Sequence, residues 1–87
     1  MRVKVTVLFF ASLREQLGQP REQLELPASV ATVGALREHL RARGGAWANA
    51  FATNRPVRAA VNQDMVQAAA AIKAGDEIAF FPAVTGG

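Results

Sequence analysis

The sequence of 87 residues contains no cysteine. Without cysteine, a chain has no disulfide bonds, thiolate metal sites or cysteine nucleophiles, so these three kinds of chemistry are excluded. The absence also suits a reducing compartment, because small domains in oxidising compartments are often stabilised by disulfides. We therefore expect a cytoplasmic protein.

Long hydrophobic runs are also lacking. No apolar stretch approaches the roughly 20 residues that a membrane-spanning helix needs, so we expect no membrane association. Residues 1–4 lead directly into a strand-like segment without a small-residue cleavage site, and we expect no signal peptide. The hydrophobic fraction of 51% and the short length instead predict one globular domain.

The chain has no concentrated block of positive charge, although its net charge is +3. The arginines are spread along the sequence, and acidic residues interrupt most of them. Nucleic-acid-binding domains typically gather their basic residues on one face or along one helix. We therefore expect no nucleic-acid partner and assign the arginines to surface solubility.

Recognisable sets of catalytic or metal-binding residues are missing as well. His39 is the only histidine and does not belong to a cluster of Cys, Asp or Glu at ligand spacing, so we predict no metal site. Ser12 and Ser29 lack the G-x-S-x-G setting of a serine nucleophile, and the sequence has no phosphate-binding loop motif. Asp76 and Glu77 fall in a predicted turn. We expect no bound cofactor.

What the sequence does contain is a pattern typical of an α+β domain, with a mixed sheet packed by one main helix. Alternating apolar residues predict strands at Arg2–Phe10, Leu24–Leu26, Val57–Val61, Met65–Val66 and Ile78–Phe81. Helical spacing predicts a short helix from Ser12, the main helix Val33–Arg43 with Thr32 as its N-cap, and a short helix Ala46–Ala52. Leu8–Phe10 is wholly apolar, so we expect cover on both faces of the first strand and a central place in the sheet. The domain is expected to span residues 1–82, with a tail at residues 83–87.

Several side chains carry more specific expectations. Ser12, followed by Glu15 three residues later, has the capping-box form, so the Ser12 side chain is expected to cap the first helix. On the main helix, Arg37 falls toward the water side. Trp47 and Phe51 form either an exposed aromatic patch for a partner or a cluster that closes the end of a helix. We favour the cluster.

The C-terminal stretch Phe80–Gly87 differs from an ordinary solvated end. Two aromatic residues close the last strand, and Pro82 is expected to end it because proline has no N–H for a sheet ladder. An uncharged tail then ends on Gly86 and Gly87, whose backbone can approach another surface closely. Fully extended, Val84–Gly87 reaches roughly 13 Å. Such a flexible arm can thread a narrow channel and carry its terminal carboxylate to a site on another protein.

Four segments and the two terminal glycines carry a family resemblance. The segments are Val7–Glu15, Thr32–Arg37, Ala59–Gln63 and Gly75–Pro82. In this order, and over the whole chain, they resemble the small subunits of molybdopterin synthase. The combination of Gly-Asp-Glu, Phe-Phe-Pro and Gly-Gly is specific to the resemblance. It implies a ubiquitin-like β-grasp fold, in agreement with the predicted order of elements.

The resemblance also implies a function. An E1-like adenylating enzyme would use ATP to activate Gly87, and sulfur would convert the end into a thiocarboxylate. The tail would then enter the large synthase subunit, which carries the active site and holds cyclic pyranopterin monophosphate. Gly86 would let the tail pass the channel. The chain would thus be the non-catalytic sulfur donor of a sulfurtransferase in molybdenum cofactor biosynthesis.

The apolar surface around Phe80, Phe81 and Val84 predicts an interface with a partner, which Pro82 and Thr85 are expected to join. Lys73 is most simply solvated, and the alternative is a pair with an acidic residue of the partner near the tail. Position 83 is alanine where the family usually has a second proline, so the tail is expected to leave the body less stiffly.

Other interpretations of the same sequence stay open. A ubiquitin-like modifier would be joined to lysines of other proteins through Gly87. A thiazole-pathway sulfur carrier would share the tail, although the Phe-Phe-Pro turn and the chain length argue against it. A plain interaction domain would end on two glycines without using them.

Overall fold

The computed structural model describes residues 2–83, and these residues form a mixed α+β domain. The elements, in chain order, are β1 (Arg2–Phe9), α1 (Ser12–Leu17), β2 (Arg21–Pro27), α2 (Val33–Arg41), α3 (Gly45–Ala50), β3 (Val57–Val61), β4 (Asp64–Val66) and β5 (Glu77–Pro82). The predicted fold class is confirmed, although β2 begins three residues earlier than expected. No helix in this part of the chain is long and apolar enough to cross a membrane.

The five strands form one sheet in the order β2-β1-β5-β3-β4. The first and last strands, β1 and β5, are parallel neighbours, whereas the other pairs are antiparallel. The predicted inner position of β1 is therefore confirmed. Because β5 is also an inner strand, the C-terminal end of the chain leaves from the middle of the sheet.

The main helix α2 covers one face of this sheet. Its buried residues are Val33, Leu36 and Leu40, which is the stripe that the helical spacing predicts. The Thr32 hydroxyl oxygen accepts a hydrogen bond from the Ala35 N–H at 3.1 Å, so the predicted N-cap is confirmed. The α2 stripe packs on the inward-facing side chains of the strands and forms the centre of the core.

The second face of the sheet has no helix against it within residues 2–83. All three helices contribute side chains to the same core, on the face of Val5, Val7 and Phe9. On the opposite face of β1, Leu8 is only partly buried, and the Phe10 side chain beyond the strand is 47% exposed. The expectation of cover on both faces of β1 is therefore wrong.

The first helix begins differently from the capping-box prediction. Ala11 occupies the N-cap position with φ 53° and ψ −130°, and no side chain caps the helix. The Leu13 N–H donates to the Phe10 carbonyl oxygen at 3.1 Å, which closes a tight turn around Ala11 and Ser12. Ser12 is thereby the first helical residue, where its hydroxyl cannot serve as the cap. The helix ends at Gly18, whose backbone lies in the left-handed region at φ 75°.

Trp47 and Phe51 belong to the core. Phe51 is fully buried, and its ring centroid lies 5.1 Å from that of Phe80. Trp47 packs edge-on against Phe9, with a centroid distance of 5.4 Å. The favoured interpretation, a cluster that closes the end of a helix, is confirmed, and the cluster is continuous with the main core.

Candidate functional site

The base of the C-terminal arm lies at the end of β5. Pro82 pairs with Val57 of β3, and the next N–H, that of Ala83, donates to the Pro56 carbonyl oxygen at 3.0 Å. The prediction that Pro82 ends the last strand is confirmed, and one further hydrogen bond holds Ala83 to the body. The remaining predicted arm residues are Val84, Thr85, Gly86 and Gly87, which lie outside the described residues.

The loop that holds Ala83 is itself held by Arg37. The Arg37 guanidinium donates from Nε to the Phe51 carbonyl oxygen at 3.2 Å and from Nη2 to the Ala52 carbonyl oxygen at 2.6 Å. The same Nη2 also donates to the Arg55 carbonyl oxygen at 2.9 Å. Burial lowers the pKa of the Arg37 guanidinium from its ordinary value. The prediction that Arg37 faces water is wrong, because the loop after α3 folds over it.

The two adjacent phenylalanines of β5 face opposite sides of the sheet. Phe80 is 1% exposed and packs in the core beneath the helices. Its predicted place on a partner surface is therefore wrong, because its side chain is already enclosed. Phe81 alternates to the other face and is partly exposed, as is Pro82. For Phe81 and Pro82, partner contact stays a prediction.

The helix-free face carries an apolar patch, which we call the open face. Its members are Leu8, Phe10, Ala60, Met65, Ala79 and Phe81. Arg58, the strand partner of Phe81, borders the patch, and Ala60 within it is only 7% exposed. The strand register places Leu8 beside Ala79, Ala79 beside Ala60, and Ala60 beside Met65, so the patch crosses four strands. Met65 is 55% exposed, the largest exposure among the large hydrophobic side chains described.

Sequence reasoning missed Phe10 and Met65 as surface residues. Phe10 could have been placed by the alternation of side chains along the strand. Phe9 lies on the core face with Val7, so the next residue, Phe10, points to the opposite face. The signal for Met65 was weaker, since it depends on the register of a strand of only three residues. Both side chains extend the candidate site well beyond the Phe-Phe-Pro segment.

Lys73 lies at the opposite end of β5 from Ala83, the base of the arm. It precedes β5, whereas the arm follows it, and the six residues of β5 separate the two ends by roughly 17–20 Å. Just before β5 begins, the Gly75 N–H donates to the Lys4 carbonyl oxygen at 2.8 Å and holds this segment to β1. Lys73 and Ala83 therefore lie at opposite ends of β5, and the pairing of Lys73 with an acidic residue of a partner stays a prediction.

Asp76 has a structural role. Its carboxylate accepts hydrogen bonds from Asn62 Nδ2 at 3.0 Å and from the Lys73 N–H at 2.8 Å. The hydrogen bond from Asn62, and after it the bond from the Lys73 N–H, hold the pKa of Asp76 below its ordinary value. Burial acts in the opposite direction and raises this pKa, but by less. Asp76 therefore connects the β3–β4 turn to the start of β5, as expected of turn chemistry. His39 is partly exposed on α2, and residues 2–83 contain no group of His, Asp and Glu placed to hold a metal.

Comparisons with known proteins match the chain nearly from end to end. The ThiS family matches residues 7–87. The molybdopterin synthase sulfur carrier subunit of Haemophilus influenzae is 47% identical over 83 residues, covering 95% of this chain and 99% of that protein. The protein of the same name from Escherichia coli is 45% identical, with the same coverage of both chains.

Solved structures agree with the fold. The HVO 2177 protein of Haloferax volcanii superposes with a TM-score of 0.79 at 26% identity, covering 99% of this chain and 88% of that one. A ubiquitin from Caldiarchaeum subterraneum superposes over both whole chains with a TM-score of 0.58 at 19% identity, a likeness of fold alone. The BexX/CysO complex of Amycolatopsis orientalis contains a chain with a TM-score of 0.63 at 27% identity, with coverage of 95% and 99%. The chain therefore belongs to the ThiS family, with a ubiquitin-like β-grasp fold and with molybdopterin synthase sulfur carrier subunits among its relatives.

Proposed function

We propose that this chain is the sulfur carrier subunit of a molybdopterin synthase and works in the cytoplasm. The observation that carries the proposal is the extent of the match to relatives of that name. They align with 95% of this chain, and the family match runs through Gly87. In this proposal the terminal carboxylate is the reactive group, and the folded body docks and delivers it.

Activation of the carboxylate requires an enzyme partner. A carboxylate is a poor electrophile, so an E1-like enzyme would first transfer AMP from ATP to Gly87 and release pyrophosphate. Hydrosulfide would then attack the carbonyl carbon, displace AMP and lose its proton, which leaves a thiocarboxylate. The thiocarboxylate sulfur is anionic at neutral pH, so it is a nucleophile that needs no helper base. No catalytic side chain of the body is required in either step.

Delivery uses the arm and its fixed base. The arm would enter the large synthase subunit, where its sulfur would attack a carbon of cyclic pyranopterin monophosphate and displace an oxygen. Water would then cleave the resulting thioester and restore the Gly87 carboxylate, and two such transfers would supply the two sulfurs of the dithiolene. Gly86 would allow passage through a narrow channel, because it has no side chain. The anchoring of Ala83 on Pro56 supports this role, since a fixed base limits the directions that the arm samples.

The open face is the proposed docking surface for the large subunit. Exposed contiguous apolar surface on a small domain usually marks an interaction site. Phe10 and Met65 are its most exposed large members, and Phe81 places it beside the arm. A related chain has been solved as part of a complex, which supports a partner-bound state for this fold.

The test of the proposed function is the intact mass of the protein after incubation with ATP, a sulfur source and the E1-like enzyme. We expect a mass increase equal to the replacement of one oxygen by sulfur, absent when Gly87 is deleted. An unchanged mass would contradict the proposal. The appearance of this chain on lysines of other proteins would support the modifier interpretation instead.

A further inference from the structure

The base of the arm is held by a backbone hydrogen bond that requires an N–H at position 83. The Ala83 N–H donates to the Pro56 carbonyl oxygen at 3.0 Å. A proline at position 83 would have no N–H and could not make this hydrogen bond. Alanine therefore fixes the base of the arm through the neighbouring loop, and the position of that loop becomes important for the arm.

The loop is held by one side chain of α2. Nη2 of Arg37 binds the carbonyl oxygens of Ala52 and Arg55 at 2.6 and 2.9 Å, while Nε binds that of Phe51 at 3.2 Å. The Arg55 carbonyl belongs to the peptide group that precedes Pro56. The proline ring fixes φ of Pro56 near −65°. Once the Arg55 carbonyl is fixed, ψ of Pro56 is therefore the only backbone angle that can still turn the Pro56 carbonyl.

We propose that Arg37 is a positioning residue for the C-terminal arm. It fixes the Arg55 carbonyl, this orients the Pro56 carbonyl, and the Pro56 carbonyl sets the direction in which the chain leaves the body at Ala83. The planar guanidinium suits the task, because its donors are held in a rigid fork that several carbonyl oxygens can share.

The anchoring can be tested without any partner. Arg37→Met keeps much of the side-chain length and removes the donors. Arg41→Met is the matched control, because it removes a guanidinium of the same helix that pairs with Glu38. Amide exchange with water, measured by NMR on the full chain, would compare Ala83 with Gly75, whose N–H is bonded at the other end of the sheet.

We expect Arg37→Met to accelerate exchange at Ala83 about fivefold or more, with Gly75 changed by less than about twofold and the control unchanged at both amides. Unchanged exchange at Ala83, or an equal rise at both amides, would overturn the positioning role. If Arg37→Met does not fold, Arg37→Lys serves instead, since a single ammonium group cannot reproduce the fork. Its expected result is a smaller rise confined to Ala83.

The consequence for sulfur transfer rests on the proposed function. A misdirected arm lowers the fraction of the carrier that is competent to enter the partner, while the reactive end is unaltered. In transfer assays with the large subunit, Arg37→Met should raise KM for the carrier about threefold or more and leave kcat within about twofold. A wild-type KM in the variant would overturn the positioning role. Failure of the wild-type chain to form a thiocarboxylate would instead overturn the proposed function, with the exchange result at Ala83 still valid.

Discussion

The two faces of the sheet are built from the same strands and differ in how far their side chains are buried. On the covered face, Val7, Phe9 and Phe80 are almost fully enclosed by the helices. On the open face, Phe10 and Met65 remain about half exposed. Alternation along a strand thus separates buried residues that hold the fold from exposed residues of the proposed docking surface.

The sharpest test of this separation uses the neighbouring residues Phe80 and Phe81. Phe80→Ala should lower the free energy of unfolding by about 3–5 kcal/mol, because it opens a cavity in the core. Phe81→Ala should cost less than about 1 kcal/mol, since its side chain is partly exposed. Urea denaturation of both variants measures the difference. Equal losses of unfolding free energy would mean that side chains on the two faces contribute equally to stability.

The second prediction concerns the hydrogen bonds of the Asp76 carboxylate, at the end of the sheet where β5 begins. Asp76→Asn should lower the free energy of unfolding at neutral pH by about 1–3 kcal/mol, because the buried carboxylate loses charge-assisted hydrogen bonds. Asp64→Asn, at an exposed aspartate of β4, is the control and should be nearly neutral.

The same carboxylate predicts a dependence on pH. The pKa of Asp76 is lowered in the folded state, so its contribution is complete above the ordinary aspartate pKa and is lost as the pH falls through the lower, folded value. Denaturation across acidic pH should therefore show a steeper loss of stability for the wild-type chain than for Asp76→Asn. Parallel curves would show that Asp76 does not contribute in this way.

The open face predicts an effect on binding without an effect on folding. Phe10→Ala and Met65→Ala should each weaken binding to the large subunit about tenfold or more, if these side chains lie at the centre of the interface. Gln23→Ala, at an exposed position of β2 on the same side of the sheet, is the matched control. Calorimetric titration gives the affinities, and unchanged values for both variants would remove the open face as a docking surface.

The smallest predicted effect lies at Ala11, between Phe10 and the first helix. Its φ of 53° with ψ of −130° is a conformation that glycine adopts readily and alanine does not. Ala11→Gly should therefore raise the free energy of unfolding by about 0.5–1 kcal/mol. Ala42→Gly, at a helical φ of −65°, should lower it instead. A loss of stability in Ala11→Gly would mean that the turn is not strained.

Sequence reasoning succeeded where a local pattern decides the structure. The stripe of Val33, Leu36 and Leu40 and the cap at Thr32 depend on spacing within one helix, and both are confirmed. The pattern was ambiguous where apolar residues adjoin. Phe80 and Phe81 look alike in sequence, and only the helices on one side of the sheet distinguish them.

The remaining errors come from contacts between distant segments. A helical wheel places Arg37 toward water, but the loop 51–56 folds over it and supplies three carbonyl acceptors. Lys73 and the base of the arm at Ala83 lie at opposite ends of β5, a separation that closeness in sequence does not reveal. The reactive role of Gly87 rests on family resemblance, because spacing alone does not distinguish a sulfur carrier from a modifier.

The most direct test of the central claim is a single-turnover transfer experiment. Thiocarboxylated chain would be mixed with the large subunit and cyclic pyranopterin monophosphate, and the intact mass of the chain would be followed with time. The account predicts that the mass returns to that of the carboxylate form only when both the large subunit and the precursor are present, with sulfur appearing in the pterin. Sulfur retained on Gly87 under those conditions, or attachment of the chain to lysines of another protein, would contradict it.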